Sequence, residues 1–153
     1  LSLNVYFANF TSRTIVTAQS DSNGNQGQIT RGSNFVSGSL VAAGFKIPPN
    51  TISPPLGVID NTSIGIFNQT PWDWMYFNLL NPDASVALEL QAFLRIDDDS
   101  KLPTEIEVGP YDQSTSNSNQ MPQKPYRTYG GGNGNGIWFI LSDADLPSLS
   151  APK

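Results

Sequence analysis

Apolar and polar positions alternate along most of this chain. Leu1, Leu3, Val5 and Phe7 fall on one side of the opening segment and mostly polar residues on the other, which predicts a half-buried strand from Leu1 to Ala8. A turn near Thr11 to Arg13 leads to the β-branched run Thr14-Ile15-Val16-Thr17, a second strand. Asp21-Ser22-Asn23-Gly24-Asn25-Gln26-Gly27 is dense in turn formers. A third strand is expected from Phe35 to Val41. The Pro-rich stretch from Ile47 to Pro55 must be an extended connection that crosses an edge, because proline cannot donate to a central ladder. Further strands are expected at Leu56 to Ile59, Ser63 to Phe67 and Trp72 to Phe77.

The run from Val86 to Ile96 sets composition against pattern. Its Ala, Leu, Glu and Gln favour a helix, with Asn81-Pro82-Asp83 as a start signal. Yet Val86, Leu88, Leu90, Ala92, Leu94 and Ile96 hold a period of two throughout, and Asp97 to Ser100 followed by Thr104 to Val108 completes a hairpin. The strand is the better reading. Residues 109–136 form a long loop or arm rich in Gly, Ser, Asn and Tyr, almost without aliphatic side chains. Ile137 to Leu141 then resumes as a final buried strand, and residues 142–153 read as a tail. Short strands with frequent Gly and Pro turns predict an all-β fold: one antiparallel β-sandwich or jelly roll of about eight strands, occupying residues 1–153 as a single domain.

Composition narrows the chemistry. The chain has neither Cys nor His, which removes disulfides, thiolate nucleophiles, imidazole bases and nearly every transition-metal site, and no cofactor is expected. Net charge is −5, and the eight cations are scattered in sequence with no basic patch, so nucleic acid is not an expected partner. Asn, Gln, Ser and Thr make up about a third of the residues, a surface suited to hydrogen bonding. No apolar run has the length of a transmembrane helix.

Several motifs weaken on inspection. Asp21 to Asn25 begins like a calcium loop, but Gln26 and Gly32 stand where that loop needs Gly and Glu. Asp97-Asp98-Asp99 reads as a solvated turn, although three carboxylates there could hold a weak divalent ion. The glycines from Gly130 to Gly136 precede a strand and lack the Lys and Ser or Thr of a phosphate loop. The Asn-x-Ser/Thr patterns at Asn9, Asn61 and Asn68 occur as often as the composition predicts by chance. Glu105 and Glu107 share a strand face at the lower limit of an inverting glycosidase pair, and the hairpin would bring Glu89 near Glu107.

The stretch from Asn68 to Phe77 concentrates two of the three Trp beside carboxamides and a carboxylate. Alternation puts Met75, Phe77 and Leu79 on one side as core, and Trp72, Trp74 and Tyr76 on the other as an outer rim. Indole and phenol rings stack on sugar faces or enter lipid interfaces, while Asn68, Gln69 and Asp73 would direct hydrogen bonds. Tyr126 and Tyr129 in the long polar segment resemble recognition-loop residues. The expectation is a non-enzymatic binding module, extracellular or surface-exposed, whose partner is a glycan or neutral lipid surface. One alternative is a self-assembling structural domain of a capsid, coat or fibre, as a homo-oligomer. The other is a carboxylate-pair glycoside hydrolase.

Overall fold

The computed structural model describes residues 2–19, 29–31, 34–60, 72–96, 103–110 and 136–149, with backbone alone at 31, 72, 103 and 104. The expected turn at Asp21 to Gly27, the strand at Ser63 to Phe67, the aspartates 97–99 and nearly all of the 109–136 segment lie outside them. The described residues form ten strands: β1 (Ser2–Phe10), β2 (Ile15–Thr17), β3 (Thr30–Arg31), β4 (Lys46–Ile47), β5 (Thr51–Ile52), β6 (Gly57–Asp60), β7 (Trp72–Leu80), β8 (Val86–Ile96), β9 (Pro103–Pro110) and β10 (Gly136–Ser142). A single 3-10 turn, Asp143–Asp145, follows β10.

The strands make two sheets. In the smaller, β10 and β1 lie side by side, and β5 and β6 succeed each other along the other edge of β1. In the larger, the order is β4-β2-β7-β8-β9, and β3 extends the row of β2 along β7. The protein is an all-β sandwich whose core fills the space between these sheets. Leu3, Val5, Phe7, Ile59, Ile137, Phe139 and Leu141 enter from the small sheet; Ile15, Ile47, Met75, Phe77, Leu79, Leu90, Ala92, Leu94, Ile96 and Val108 enter from the large one. Burial of these side chains is the main force closing the sandwich, at about 1.5–3 kcal/mol for each fully buried aliphatic or aromatic group.

Alternation is obeyed where it was read. Leu3, Val5 and Phe7 of β1 and the even residues of β8 from Leu90 onward are core, and β8 is a strand paired along β7 and β9 despite its helix-forming composition. Tertiary burial of one face outweighs a propensity of a few tenths of a kcal/mol per residue. The Pro-rich segment is the expected connection: β4 belongs to the large sheet and β5 to the small one, and Pro48, Pro49, Pro54 and Pro55 stand outside both strands.

Two expectations are corrected. Residues Phe35 to Val41 are no strand: Phe35 makes one isolated bridge to Ile59, then Gly38 turns with φ 78° and the Ser39 hydroxyl donates to Val36 O, ending the ladder. The sandwich is also not wholly antiparallel, since β1 and β10 pair parallel from Asn4↔Gly136 to Phe10↔Ser142.

Candidate functional site

The aromatic strand is β7, and its alternation is as expected, but its second face is not open. Met75, Phe77 and Leu79 are core, and Trp74 and Tyr76 point the opposite way, where they are 7% and 1% exposed. There Trp74 meets Phe93 across the β7–β8 ladder, with centroids 5.5 Å apart and planes tilted by 60°, and Ala18 and Tyr76 complete a second apolar cluster. Gln91 and Glu107 on the same face are buried as well. Alternation separates the two faces of a strand but does not reveal whether the second one meets solvent, and here it does not. The side chain of Trp72, and all of Asn68, Gln69, Tyr126 and Tyr129, lie outside the described residues.

Asp73 differs from the expectation of a solvent-facing hydrogen-bonding residue. It shares the inward side of β7 with Met75 and is fully buried. The Asn34 side-chain amide donates to its Oδ2 at 2.7 Å and the Asn34 backbone N–H donates to its Oδ1 at 3.3 Å. Burial pushes the Asp73 carboxyl up to about 6, while those two hydrogen bonds pull the other way. Asn34 O in turn accepts from Asp60 N of β6, so this polar contact ties the large sheet to the small one.

The carboxylates of the hydrolytic alternative lie on the outward side of β9. Glu105 faces Arg95 at 3.8 Å, and Glu107 is buried opposite Phe93. Glu89 pairs with Asn78 four residues along β8 from Phe93, about 13 Å away at strand rise, so it is not near Glu107 as expected.

An aromatic pair that is partly open lies elsewhere, on the outward face of the small sheet. Tyr6 of β1 and Trp138 of β10 are directly paired, with ring centroids 5.3 Å apart and planes 12° from parallel. Both are partly exposed. They fit because Gly136 is next to them: a Cβ there would come within 3.0 Å of Trp138 Cη2 and 3.1 Å of Tyr6 Cε2. Parallel rings at this separation are displaced sideways, so each keeps one face and one edge clear of the other. Ile140, Ala8 and Ile52 form the next row on this face, and Phe10 follows; Phe10 is 45% and Ile52 53% exposed.

A second feature sits at the end of the sandwich where β1, β7 and β10 finish. A cleft of about 350 Å³ is lined by Ser12, Arg13, Thr14, Lys46, Pro49, Leu80, Asn81, Pro82 and Ala84. Asn9, fully buried, braces the segments behind its wall. Its amide donates to Arg13 O, Ile47 O and Pro48 O, and its Oδ1 accepts from the Thr11 N–H and hydroxyl. This fixes the β1–β2 turn against the β4–β5 connection, and it also leaves the amide of this Asn-x-Thr pattern fully engaged. Opposite, Arg13 Nη1 donates to Asn81 Oδ1 at 2.7 Å.

Compared with known proteins, the chain matches no family model, no curated protein and no solved structure. The site residues that sequence reasoning passed over are Tyr6, Trp138, Arg13 and Lys46. The first two had a signal: Leu3, Val5 and Phe7 as core force Tyr6 outward, and Ile137, Phe139 and Leu141 do the same for Trp138. The two cations had none, because only the strand order places Lys46 near a residue 33 positions earlier.

Proposed function

We propose that this protein is a non-enzymatic module that recognises neutral glycans, with the sugar taken against the Tyr6–Trp138 stack. The observation that carries this reading is the stack itself: two aromatic rings, parallel and partly exposed, held on adjacent strands over a glycine. C–H-rich sugar faces pack on such rings, and Asn4, in the neighbouring row of the same face, supplies an amide for hydroxyls. A binding role is favoured over hydrolysis because Glu105 faces a guanidinium and Glu107 is buried. Trp72, Trp74, Tyr76 and Asp73 lose their place as the leading site because three of the four are buried.

One observation favours a second reading. Phe10 and Ile52 extend the stack into a longer exposed apolar strip, and such a strip suits an uncharged lipid interface. Titration of the chain with neutral gluco- and chito-oligosaccharides, and separately with phosphatidylcholine vesicles, followed by tryptophan fluorescence, distinguishes the two. The expected result is a saturable change with an oligosaccharide that Trp138→Ala abolishes and Tyr6→Ala weakens by about tenfold, with the far-UV spectrum unchanged. A response to vesicles alone moves the assignment to lipid. Wild-type affinity in Trp138→Ala, or no response to either, overturns the proposal.

A further inference from the structure

We infer that the end cleft between the β1–β2 turn and the β7–β8 turn is a second binding site, and that it takes a small oxyanion. Two of the chain's eight cations, Arg13 and Lys46, line this one cleft, in a protein of net charge −5. No carboxylate is among the lining residues. Asp83, beside the lining residues Pro82 and Ala84, accepts from the Ser85 N–H and hydroxyl, and Asp143 is held on the cleft wall itself, where it accepts from the Ser12 N–H and hydroxyl. Among the described residues the single ion pair is Arg95 with Glu105, so neither Arg13 nor Lys46 is neutralised by one.

The guanidinium is also oriented. Asn81 Oδ1 occupies one N–H of Arg13, which leaves its remaining donors for a planar or tetrahedral anion. Thr14 lies on the same wall, and the volume of about 350 Å³ is at the lower end of small-ligand sites. The backbone is strained at the rim. Ala84 adopts φ 68°, a left-handed conformation that alanine enters at a cost of about 1–2 kcal/mol, and it lines the cleft directly. Asn50, next to Pro49 on the opposite rim, is left-handed as well, at φ 54°. Two cations outside any ion pair of the described residues and a guanidinium held by Asn81 converge on one concavity, which suits a ligand that carries negative charge on oxygen.

The test is a titration of the isotope-labelled full chain with glucose 6-phosphate, glucuronate and inorganic phosphate, with glucose as the neutral control, read from backbone amide resonances. Saturable shifts at Ser12 to Thr14 and Asn81 to Ala84 are expected with the anions and not with glucose. Binding should weaken by about tenfold in Arg13→Gln/Lys46→Gln and on raising the salt. Equal affinity for inorganic phosphate assigns the site to the free anion, and tighter binding of the sugar phosphate assigns it to the ester. Lys46→Gln alone, at an exposed side chain, supplies the measurement if the double variant does not fold. No saturable shift with any anion, or unchanged affinity in the variants, overturns the inference. Because the cleft and the aromatic stack share no residue, failure here leaves the glycan proposal to its own test.

Discussion

Asp73 carries a carboxyl displaced far enough to be felt in stability at ordinary pH. In the unfolded chain it titrates near 3.8, and in the fold near 6. The folded state therefore holds the proton more tightly. Below about pH 4 the carboxyl is neutral in both states and the fold bears no penalty; as pH rises through 6 the fold must bury a charge, and stability falls. The shift corresponds to about 3 kcal/mol, fully expressed above pH 7. Asp73→Asn keeps the shape without the charge. In urea melts between pH 4 and pH 8, the wild type should lose stability relative to this variant across the window, and a constant difference would disprove the account.

At the scale of elements, β7 shows how a strand divides its work. Its inward residues hold the sandwich together, and its outward Trp74 packs with Phe93 in a buried layer of its own. Trp74→Ala should therefore cost about 3–5 kcal/mol, seen as a large fall in the urea midpoint. Trp138→Ala should cost far less, because its ring is partly in solvent. Equal losses from the two substitutions would contradict the burial assigned here. The core side of every long strand was readable from alternation, including β8 against its own composition. What could not be read was the fate of the outward sides, since Trp74 and Trp138 follow the same local rule and differ only in what lies over them.

At the scale of the molecule, the two candidate sites among the described residues lie apart. The Tyr6–Trp138 strip lies on the small sheet, whereas Arg13 and Lys46 meet at the end of the sandwich, where the first turn reaches the β7–β8 turn. Strand order was the missing information. Sequence pattern supports a sandwich but not which strands adjoin, and the partnership of Arg13 with Asn81 spans 68 positions of chain.

The pairing of β1 with β10 also sets an order in time. β1 pairs with a strand about 130 positions further along the chain, Asn4 with Gly136, whereas β7 and β8 meet across a turn of a few residues. Closing a loop of that length costs entropy before any contact is regained, so the β7–β8 hairpin should gain protection early in refolding and β1–β10 late. Pulse-labelled hydrogen exchange would show this sequence, and simultaneous protection of both pairs would refute it. Throughout the delay the edge of β1, with Tyr6 and Phe10 along it, is an open template for another chain, which makes slow refolding at high concentration the hazard this topology carries.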